Sequence, residues 1–188
     1  MIRFILGCVA ASLIAGCATI AEPVVPPPAT MLARPVLVAF HVTGRLAAQR
    51  GEEAVHGRFS WRHAAGQDHW QFFSPLGQMV AELESSGGVA VLQMADGGRH
   101  VAPLDELLAR MLGADVPVAI LPRWLQAGVA HLDDVRERDL LGRPQRVVEQ
   151  GWEVRYRTYA AEDFNALPRL VEVSRGDVSL KLLVEQWQ

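Results

Sequence analysis

The stretch Val55-His56-Gly57-Arg58-Phe59-Ser60-Trp61-Arg62 alternates apolar or small side chains with polar or charged ones. Successive side chains of a β-strand point to opposite faces, so this pattern predicts a strand with one buried and one solvated face. The same period of two recurs at residues 152–157 and 178–185. We therefore expect a mainly β protein.

Turn signals separate such runs along most of the chain. Glycine, which readily adopts the backbone conformations of tight turns, stands between the runs at Gly51, Gly66, Gly87, Gly88, Gly97, Gly98, Gly151 and Gly176. The strand candidates are residues 37–48, 55–62, 68–73, 79–84, 89–94, 99–102, 144–149, 152–157, 169–174 and 178–185. Ten or so strands that are joined mainly by hairpins predict a barrel or a strongly curled antiparallel sheet.

Two helical segments are predicted within this series of strands. The first has apolar residues at the three- and four-residue spacing of an amphipathic helix, namely Leu104, Leu107, Leu108, Met111 and Leu112. A shorter helix is predicted from Pro122 to Gly128, with proline near its start and glycine after its end. The charged segment 133–139 is predicted to be a solvated loop. Helices with an apolar face need a surface to cover, and we expect this surface to be the concave side of the sheet.

The N-terminus has the features of a bacterial lipoprotein signal. Arg3 precedes an apolar run at residues 4–15, which is too short to span a bilayer. The next residues, Ile14-Ala15-Gly16-Cys17, resemble a lipobox, in which the cysteine thiol receives a diacylglycerol. The alternative is an ordinary secreted protein with a chance cysteine near its cleavage site.

Cleavage before Cys17 divides the chain into three parts. We predict a signal peptide at residues 1–16, a lipidated cysteine with a proline-rich tether at 17–35, and a folded domain at 36–188. Ala18 stands where an inner-membrane retention signal typically has aspartate, so the expected location is the periplasmic face of the outer membrane.

Composition narrows the range of functions. The 188 residues suit one domain, and a net charge of −3 lacks the positive excess that nucleic-acid binding requires. The six histidines are scattered, without the motif of a metalloprotease, a serine hydrolase or a phosphate-binding loop. We therefore expect neither an enzyme nor a protein with a cofactor, a metal ion or a nucleic-acid partner. Cys8 falls in the predicted signal peptide, so a lipidated Cys17 leaves the mature chain without a free thiol.

A series of short motifs resembles the LolB family of outer-membrane lipoprotein receptors. These motifs are Gly44-Arg45-Leu46, Gly57-Arg58-Phe59-Ser60-Trp61, Ser74-Pro75-Leu76-Gly77-Gln78, Leu121-Pro122 with Trp124-Leu125 and Gly128, Gly151-Trp152, Tyr156, Leu167-Pro168 and Val184–Trp187. Each motif is weak alone, but their order and spacing match over essentially the whole mature chain. The resemblance implies an open half-barrel of roughly 11 antiparallel strands, lidded by short α-helices, with the fold of the periplasmic carrier LolA.

The same resemblance implies a function. A receptor of this kind accepts lipoproteins from LolA by binding their acyl chains in an apolar cavity, and inserts them into the outer membrane without an energy source. Its partners are LolA, the acyl chains of client lipoproteins and the outer-membrane bilayer, and we expect a monomer. An outer-membrane interaction scaffold with a filled core is the first alternative. A lipoprotein hydrolase ranks lower, because the sequence offers no acid–base site.

The candidates for the cavity lining are large apolar residues at inward strand positions and on the helices. They are Phe59, Trp61, Trp70, Phe72, Met79, Leu83, Val91, Leu107, Leu108, Met111, Trp124, Leu125 and Trp152. For any one of these residues, packing in a filled core without ligand contact is the alternative.

Leu76 stands out in the segment Pro75-Leu76-Gly77 between two predicted strands. Proline and glycine favour a turn, and the tip of a turn usually faces water, where a large aliphatic side chain has no packing role. The resemblance implies that this leucine enters the membrane surface. The alternative is that Leu76 folds back onto the sheet.

The lipobox generates the first testable prediction. Mass spectrometry of the protein extracted from membranes should find an acylated Cys17 as the first residue, because signal cleavage and acylation occur at the same cysteine. The Cys17→Ser variant should carry no acyl chain. An unmodified N-terminus produced by cleavage at another position would contradict the assignment.

Overall fold

The structure is a computed structural model that describes residues 34–188. The predicted signal peptide, Cys17 and most of the predicted tether lie outside the described residues. Eleven strands form one antiparallel sheet: β1 (Ala39–Arg50), β2 (Glu53–Ala64), β3 (Gln67–Phe73), β4 (Met79–Ser86), β5 (Val89–Met94), β6 (Arg99–Pro103), β7 (Val135–Arg138), β8 (Pro144–Glu149), β9 (Trp152–Tyr159), β10 (Pro168–Arg175) and β11 (Val178–Trp187).

The sheet consists of two runs of hairpins that meet at its centre. The strand order is β6-β5-β4-β3-β2-β1-β11-β10-β9-β8-β7, so β1 pairs with the last strand of the chain and the two edges are β6 and β7. The chain passes from one edge to the other through α1 (Leu104–Leu112), a 3-10 turn (Val118–Ile120), α2 (Leu121–Leu125) and a second 3-10 turn (Leu132–Asp134). This helical connection therefore lies where it can cover the inner face of the sheet.

Alternate side chains of the strands form the core on that inner face. In β2 and β3 the buried positions are filled by Phe59, Trp61, Trp70 and Phe72. Trp61 and Trp70 lie directly opposite each other in the strand register, and their rings stack with centroids 4.0 Å apart. Buried aromatic pairs of this kind stabilise a sheet beyond the area they remove from water. They therefore fix the register of this half of the sheet.

Two glycines of the sequence motifs have a steric role in the sheet. A Cβ atom at Gly44 would overlap the carbonyl oxygen of Leu183, and one at Gly57 would overlap that of Phe73. The pairing of β1 with β11 shifts register between Thr43 and Gly44. Both glycines thus stand where a neighbouring backbone approaches too closely for any side chain.

The helical lid is packed on the core by apolar side chains from both of its helices. Leu107, Leu108 and Leu112 of α1 are buried, and α1 contacts β5 and β6. Trp124 of α2 is buried on the other side of the lid, with its ring centroid 6.3 Å from that of Trp152 in β9. The lid therefore spans the two halves of the sheet.

Polar contacts attach α2 more firmly than α1. The carboxylate of Glu149, buried at the end of β8, accepts hydrogen bonds from both Nη atoms of Arg123 at 3.0 and 2.5 Å and from Nε1 of Trp124 at 2.9 Å. The buried Gln126 side chain accepts a bond from the Leu37 backbone N–H at 2.7 Å and donates to its carbonyl. Charge-assisted bonds that are shielded from water are among the stronger polar contacts in proteins.

The corresponding contacts of α1 are exposed. Arg110 bonds to Glu106 within the helix and to the His100 ring on β6. After the helix, Asp115 pairs with Arg50 at 2.5 Å, with both side chains largely in solvent. Exposed ion pairs of this kind contribute little to stability. The α1 half of the lid is thus held mainly by apolar packing.

The predicted fold class is confirmed: the structure is an open antiparallel sheet of eleven strands with two short helices. The prediction of a solvated loop over 133–139 is wrong, because residues 135–138 form edge strand β7. This strand has the sequence Val-Arg-Glu-Arg. It pairs with β8 on one side and, among the described residues, has no strand on its other side. An edge strand does not need to alternate apolar and polar residues, so the charged sequence of β7 does not indicate a strand.

Glu149 generates the second prediction. Burial by itself raises the pKa of this carboxyl, but the hydrogen bonds from Arg123 and Trp124 and the positive charge of Arg123 outweigh burial, so the pKa lies below its ordinary value. A lowered pKa in the folded state adds stability above the unfolded-state pKa, and this stability is lost as the pH falls through the folded-state value. The Glu149→Gln substitution should lower the free energy of unfolding at pH 7 by about 2 kcal/mol.

The measurement is urea denaturation of the non-acylated Cys17→Ser form at pH 7 and at pH 3. The difference between parent and Glu149→Gln should shrink at the lower pH. Glu153→Gln, which removes a more exposed glutamate paired with Arg155 and Arg146, is the matched control and should cost less than about 1 kcal/mol. Equal losses for the two variants at pH 7 would show that Glu149 does not hold the lid.

Candidate functional site

An apolar pocket of about 200 Å³ opens at one end of the sheet, beside the lid. Its walls come from strands β1 to β4, the β3–β4 loop and the end of α1. The apolar wall residues include Leu46, Val55, Phe72, Pro75, Val80, Met111 and Leu112, and Gly57, His56, Arg58 and Ser74 also line the pocket. Gly57 lies in the pocket wall at a point where the Phe73 carbonyl approaches its backbone too closely for a side chain. The pocket thus lies between the more loosely attached half of the lid and the aromatic side of the core.

The loop between β3 and β4 forms one rim of this pocket. The Ser74 backbone N–H donates to the carbonyl of Gln78 at 2.8 Å, and the Gly77 N–H donates to the carbonyl of Ser74 at 2.9 Å. Gly77 has a φ of 85°, a conformation that strongly favours glycine. These bonds close a tight turn with Leu76 at its tip, and 90 % of the Leu76 surface is exposed. Leu76 therefore projects into solvent next to the pocket.

Most of the candidate cavity residues lie in the interior. The buried ones are Phe59, Trp61, Trp70, Phe72, Leu83, Leu107, Leu108, Trp124, Leu125 and Trp152. Met111 is partly buried, packs against this core and also lines the pocket, as Phe72 does. In the structure the interior is filled by these side chains, and the pocket reaches the buried core at Leu46, Phe72 and Leu112, beside the partly buried Met111.

The placement of Val91 on the inner face is wrong. The buried positions of β5 are Ala90 and Leu92, whereas Val91 lies opposite Glu84 on the outer face. Residues 89–92 are all apolar, so the sequence shows no alternation that fixes the face. The small Ala90 faces inward on β5, the strand against which α1 packs.

The placement of Met79 in the interior is also wrong. Met79 is 44 % exposed at the start of β4. The register of β3 with β4 shifts here, since Phe72 pairs with Ala81 and Phe73 pairs with Met79. The extra residue in β4 is Val80, and it lines the pocket. Such a bulge changes the face of the residues before it, and a pattern of period two does not reveal it.

Sequence reasoning missed several pocket residues. Leu46 and Leu112 were visible as apolar members of a strand and a helix, but neither was singled out. Val55 and Val80 lie at strand starts, where the alternating pattern is weakest. Only the position of the β3–β4 loop against the end of α1 brings these residues together.

Within residues 34–188, histidine–carboxylate contacts occur on strands β2 to β4. His63 pairs with Asp68 at 2.7 Å and His69 with Glu82 at 2.7 Å, as separate contacts on the strands. The His69 ring and Gln71 donate to Glu82 and hold the pKa of that carboxyl below its usual range. No group of three or more potential metal ligands occurs in residues 34–188. No helix in that same range is both long and apolar enough to cross a membrane.

Comparison with known proteins points to one family. A family model described as "Outer membrane lipoprotein LolB" matches residues 38–187. An outer-membrane lipoprotein LolB from an Azoarcus species is 40% identical over 186 residues, which cover 97% of this chain and 93% of that protein. The corresponding protein of Thiobacillus denitrificans is 36% identical over 178 residues, which cover 92% and 90% of the two chains.

Among solved structures, a putative outer membrane lipoprotein-sorting protein domain from Vibrio parahaemolyticus shares 8% sequence identity at a TM-score of 0.45, over 80% of this chain and 84% of that chain. The family model covers almost all of the described residues, and the two relatives match over nearly their whole length. The chain belongs to the LolB family of outer-membrane lipoproteins.

Proposed function

We propose that this protein receives lipoproteins from the periplasmic carrier LolA, holds their acyl chains in an apolar cavity under the lid, and inserts them into the outer membrane without an energy source. The observation that carries the proposal is the position of the apolar pocket against the exposed Leu76 loop. Pro75, the neighbour of Leu76, is part of the pocket wall. A lipid chain that leaves the pocket would therefore pass beside the leucine.

The pocket has to enlarge to hold an acyl chain. Its volume of about 200 Å³ is below the roughly 300–1,000 Å³ of typical ligand pockets. The core residues that line it are Leu46, Phe72 and Leu112, with the partly buried Met111 beside them. Met111 has a flexible, unbranched side chain, and such side chains adapt readily to a new neighbour. We infer that an entering chain displaces Met111 and the end of α1 and replaces their contacts with its own.

The polar contacts of the lid favour opening at α1. The buried bonds of Arg123 and Trp124 to Glu149 hold α2 on β8, whereas the bonds that α1 makes through Arg110 are exposed. Moving α1 therefore breaks apolar contacts that a bound acyl chain restores. Moving α2 would leave a buried carboxylate without partners, which costs far more.

Handover needs no bond hydrolysis in this account. The free energy of transferring apolar surface is proportional to the area that leaves water, so a cavity that covers more of the acyl chain than the carrier does will draw the chain across. A difference of about 1.4 kcal/mol already biases the exchange tenfold. Release then requires contact with a bilayer, which covers the chain completely.

Met111 provides a test of the cavity. Met111→Trp fills the pocket from the α1 side, so we expect acceptance from LolA to fall by about tenfold, the change that about 1.4 kcal/mol of lost binding produces. The measurement is transfer of a purified lipoprotein from LolA to the mature protein, followed by co-precipitation. Arg110→Trp is the matched control, because it adds the same ring to the exposed side of the same helix.

If a correctly folded Met111→Trp variant accepts lipoprotein from LolA at nearly the native level, the acyl chain binds elsewhere. That result would favour the alternative function of an interaction scaffold with a filled core. A second variant at Leu107 is unsuitable as a test of the pocket alone. Leu107 is fully buried, so a tryptophan there overpacks the core and lowers stability as well.

Leu76 provides a test of release. Leu76→Glu removes a side chain whose transfer to an apolar layer contributes on the order of 1.5–3 kcal/mol, so deposition into liposomes should fall by more than about tenfold. Acceptance from LolA should be unchanged, because the substitution lies outside the pocket wall. The measurement is a two-stage assay that follows carrier-to-receptor and receptor-to-liposome transfer separately.

Leu76→Met serves as the control for this experiment, since it keeps an apolar side chain at the tip of the loop and should retain deposition. Equal losses in both stages, or normal deposition by Leu76→Glu, would contradict the role proposed for Leu76. Near-UV circular dichroism of the tryptophan cluster reports whether each variant has kept its packed core.

A further inference from the structure

A second exposed leucine lies at the tip of another turn. The β7–β8 hairpin has the sequence Asp139-Leu140-Leu141-Gly142, in which Leu140 is 97 % exposed and Leu141 is also exposed. Leu140 is more exposed than Leu76. Neither the pocket nor the proposed release step uses this residue.

The Leu140 hairpin is held in shape by its own hydrogen bonds. One carboxylate oxygen of Asp139 accepts from the backbone N–H groups of Leu141 at 3.0 Å and Arg143 at 2.9 Å. The other accepts from Nε of Arg143 at 2.6 Å, and Arg138 donates to the Gly142 carbonyl at 2.8 Å. A turn with this many internal bonds presents its tip in one orientation. Leu140 therefore stays in solvent in the absence of a partner.

The hairpin lies next to the point where the anchor-bearing segment joins the sheet. The guanidinium carbon of Arg143 stands 4.1 Å from the centroid of the Tyr159 ring, and that of Arg34 stands 5.5 Å from the same centroid. Arg34 also donates to the carbonyls of Phe164 and Ala166. Arg34, where the described chain begins, thus contacts the same ring as Arg143 at the base of the Leu140 hairpin.

The length of the chain before Arg34 limits how far this end can lie from the bilayer. Cys17 precedes Arg34 by 34 − 17 = 17 residues, and even a fully extended chain of that length spans at most about 60 Å. The lipid of Cys17 therefore keeps the Arg34 end of the sheet within this distance of the membrane. Leu140 is an exposed apolar tip at that end, where Leu37 and Val38, just before β1, are exposed as well.

Leu76 lies at the opposite end of the sheet. Strand β3 begins at Gln67, after the turn next to the start of β1, and ends at Phe73, just before the Leu76 loop. Seven strand residues at about 3.3 Å each separate the two ends by about 23 Å. A bilayer contact at the Leu140 end, with the strands upright on the surface, therefore places Leu76 about 23 Å from that surface.

We propose that the Leu140 hairpin is a second membrane contact, which holds the anchored protein on the bilayer with its Leu76 end directed toward the periplasm between deliveries. One or two leucines at a hairpin tip are too small for a stable protein interface, which buries about 800 Å² per partner. One or two leucine side chains are enough for shallow insertion into a lipid surface, and the lipid anchor keeps the protein near that surface. The membrane contact stands independently of the proposed function, whereas the orientation rests on it.

The experiment uses the lipidated mature protein in vesicles of phosphatidylethanolamine and phosphatidylglycerol. Because a lipidated Cys17 leaves no free thiol, Leu140→Cys, Leu76→Cys and Glu84→Cys each carry a single reactive cysteine for an environment-sensitive fluorophore. Glu84 is exposed on the outer face of β4 and is the matched control. We expect the label at position 140 to show blue-shifted emission and protection from aqueous iodide, and the labels at positions 76 and 84 to be quenched freely.

A label at position 140 that iodide quenches as fully as the Glu84 control would overturn the membrane contact. Protection at position 76 in place of position 140 would overturn the orientation. These results are separate from the test of release: a protected Leu140 label with normal deposition by Leu76→Glu would keep the contact and reject the role of Leu76. The reverse combination would reject the contact and keep the proposed function.

Discussion

The inner face of an open sheet has to be covered by something other than its own strands. In this protein the sheet ends at β6 and β7, which are not paired with each other, and its inner face carries the aromatic pair Trp61 and Trp70. Exposing that surface to water would cost more than the rest of the fold can offset. The chain solves this by running its helices across the inner face between the two edge strands, and the site depends on that lid.

The two halves of the lid are attached by different kinds of contact, and we infer that the α1 half is the one that opens more easily. Glu149 fixes α2 through buried charged hydrogen bonds, whereas the other half of the lid rests on Leu107, Leu108 and Leu112. Apolar contacts are exchangeable, because any apolar surface of similar shape replaces them without loss of a specific partner. An acyl chain is such a surface. We therefore propose that acyl chains enter and leave at the α1 half of the lid, where the pocket and Leu76 lie.

The sequence predicted the parts of the fold that have a regular period. Alternation in β2 identified its inner residues, and the spacing of Leu104 to Leu112 identified α1. The prediction for Val91 fails because residues 89–92 are all apolar, so no alternation shows which of them face inward. The prediction for Met79 fails because the bulge at Val80 changes the face on which Met79 lies. The pocket could not be predicted, since its walls come from segments that are distant in the chain and meet only in the fold. The Leu76 loop was visible because proline and glycine enclose a leucine.

We propose that acyl chains enter the core between α1 and the β3–β4 loop. Photocrosslinking with a diazirine-bearing fatty acid, followed by mass spectrometry of the labelled peptides, tests it most directly. The account predicts labels on Phe72, Met111 and Leu112, with deeper labels on Phe59 or Leu108 as the chain advances. Labels confined to outer-face residues such as Val91 and Val101, with the core unlabelled, would contradict it.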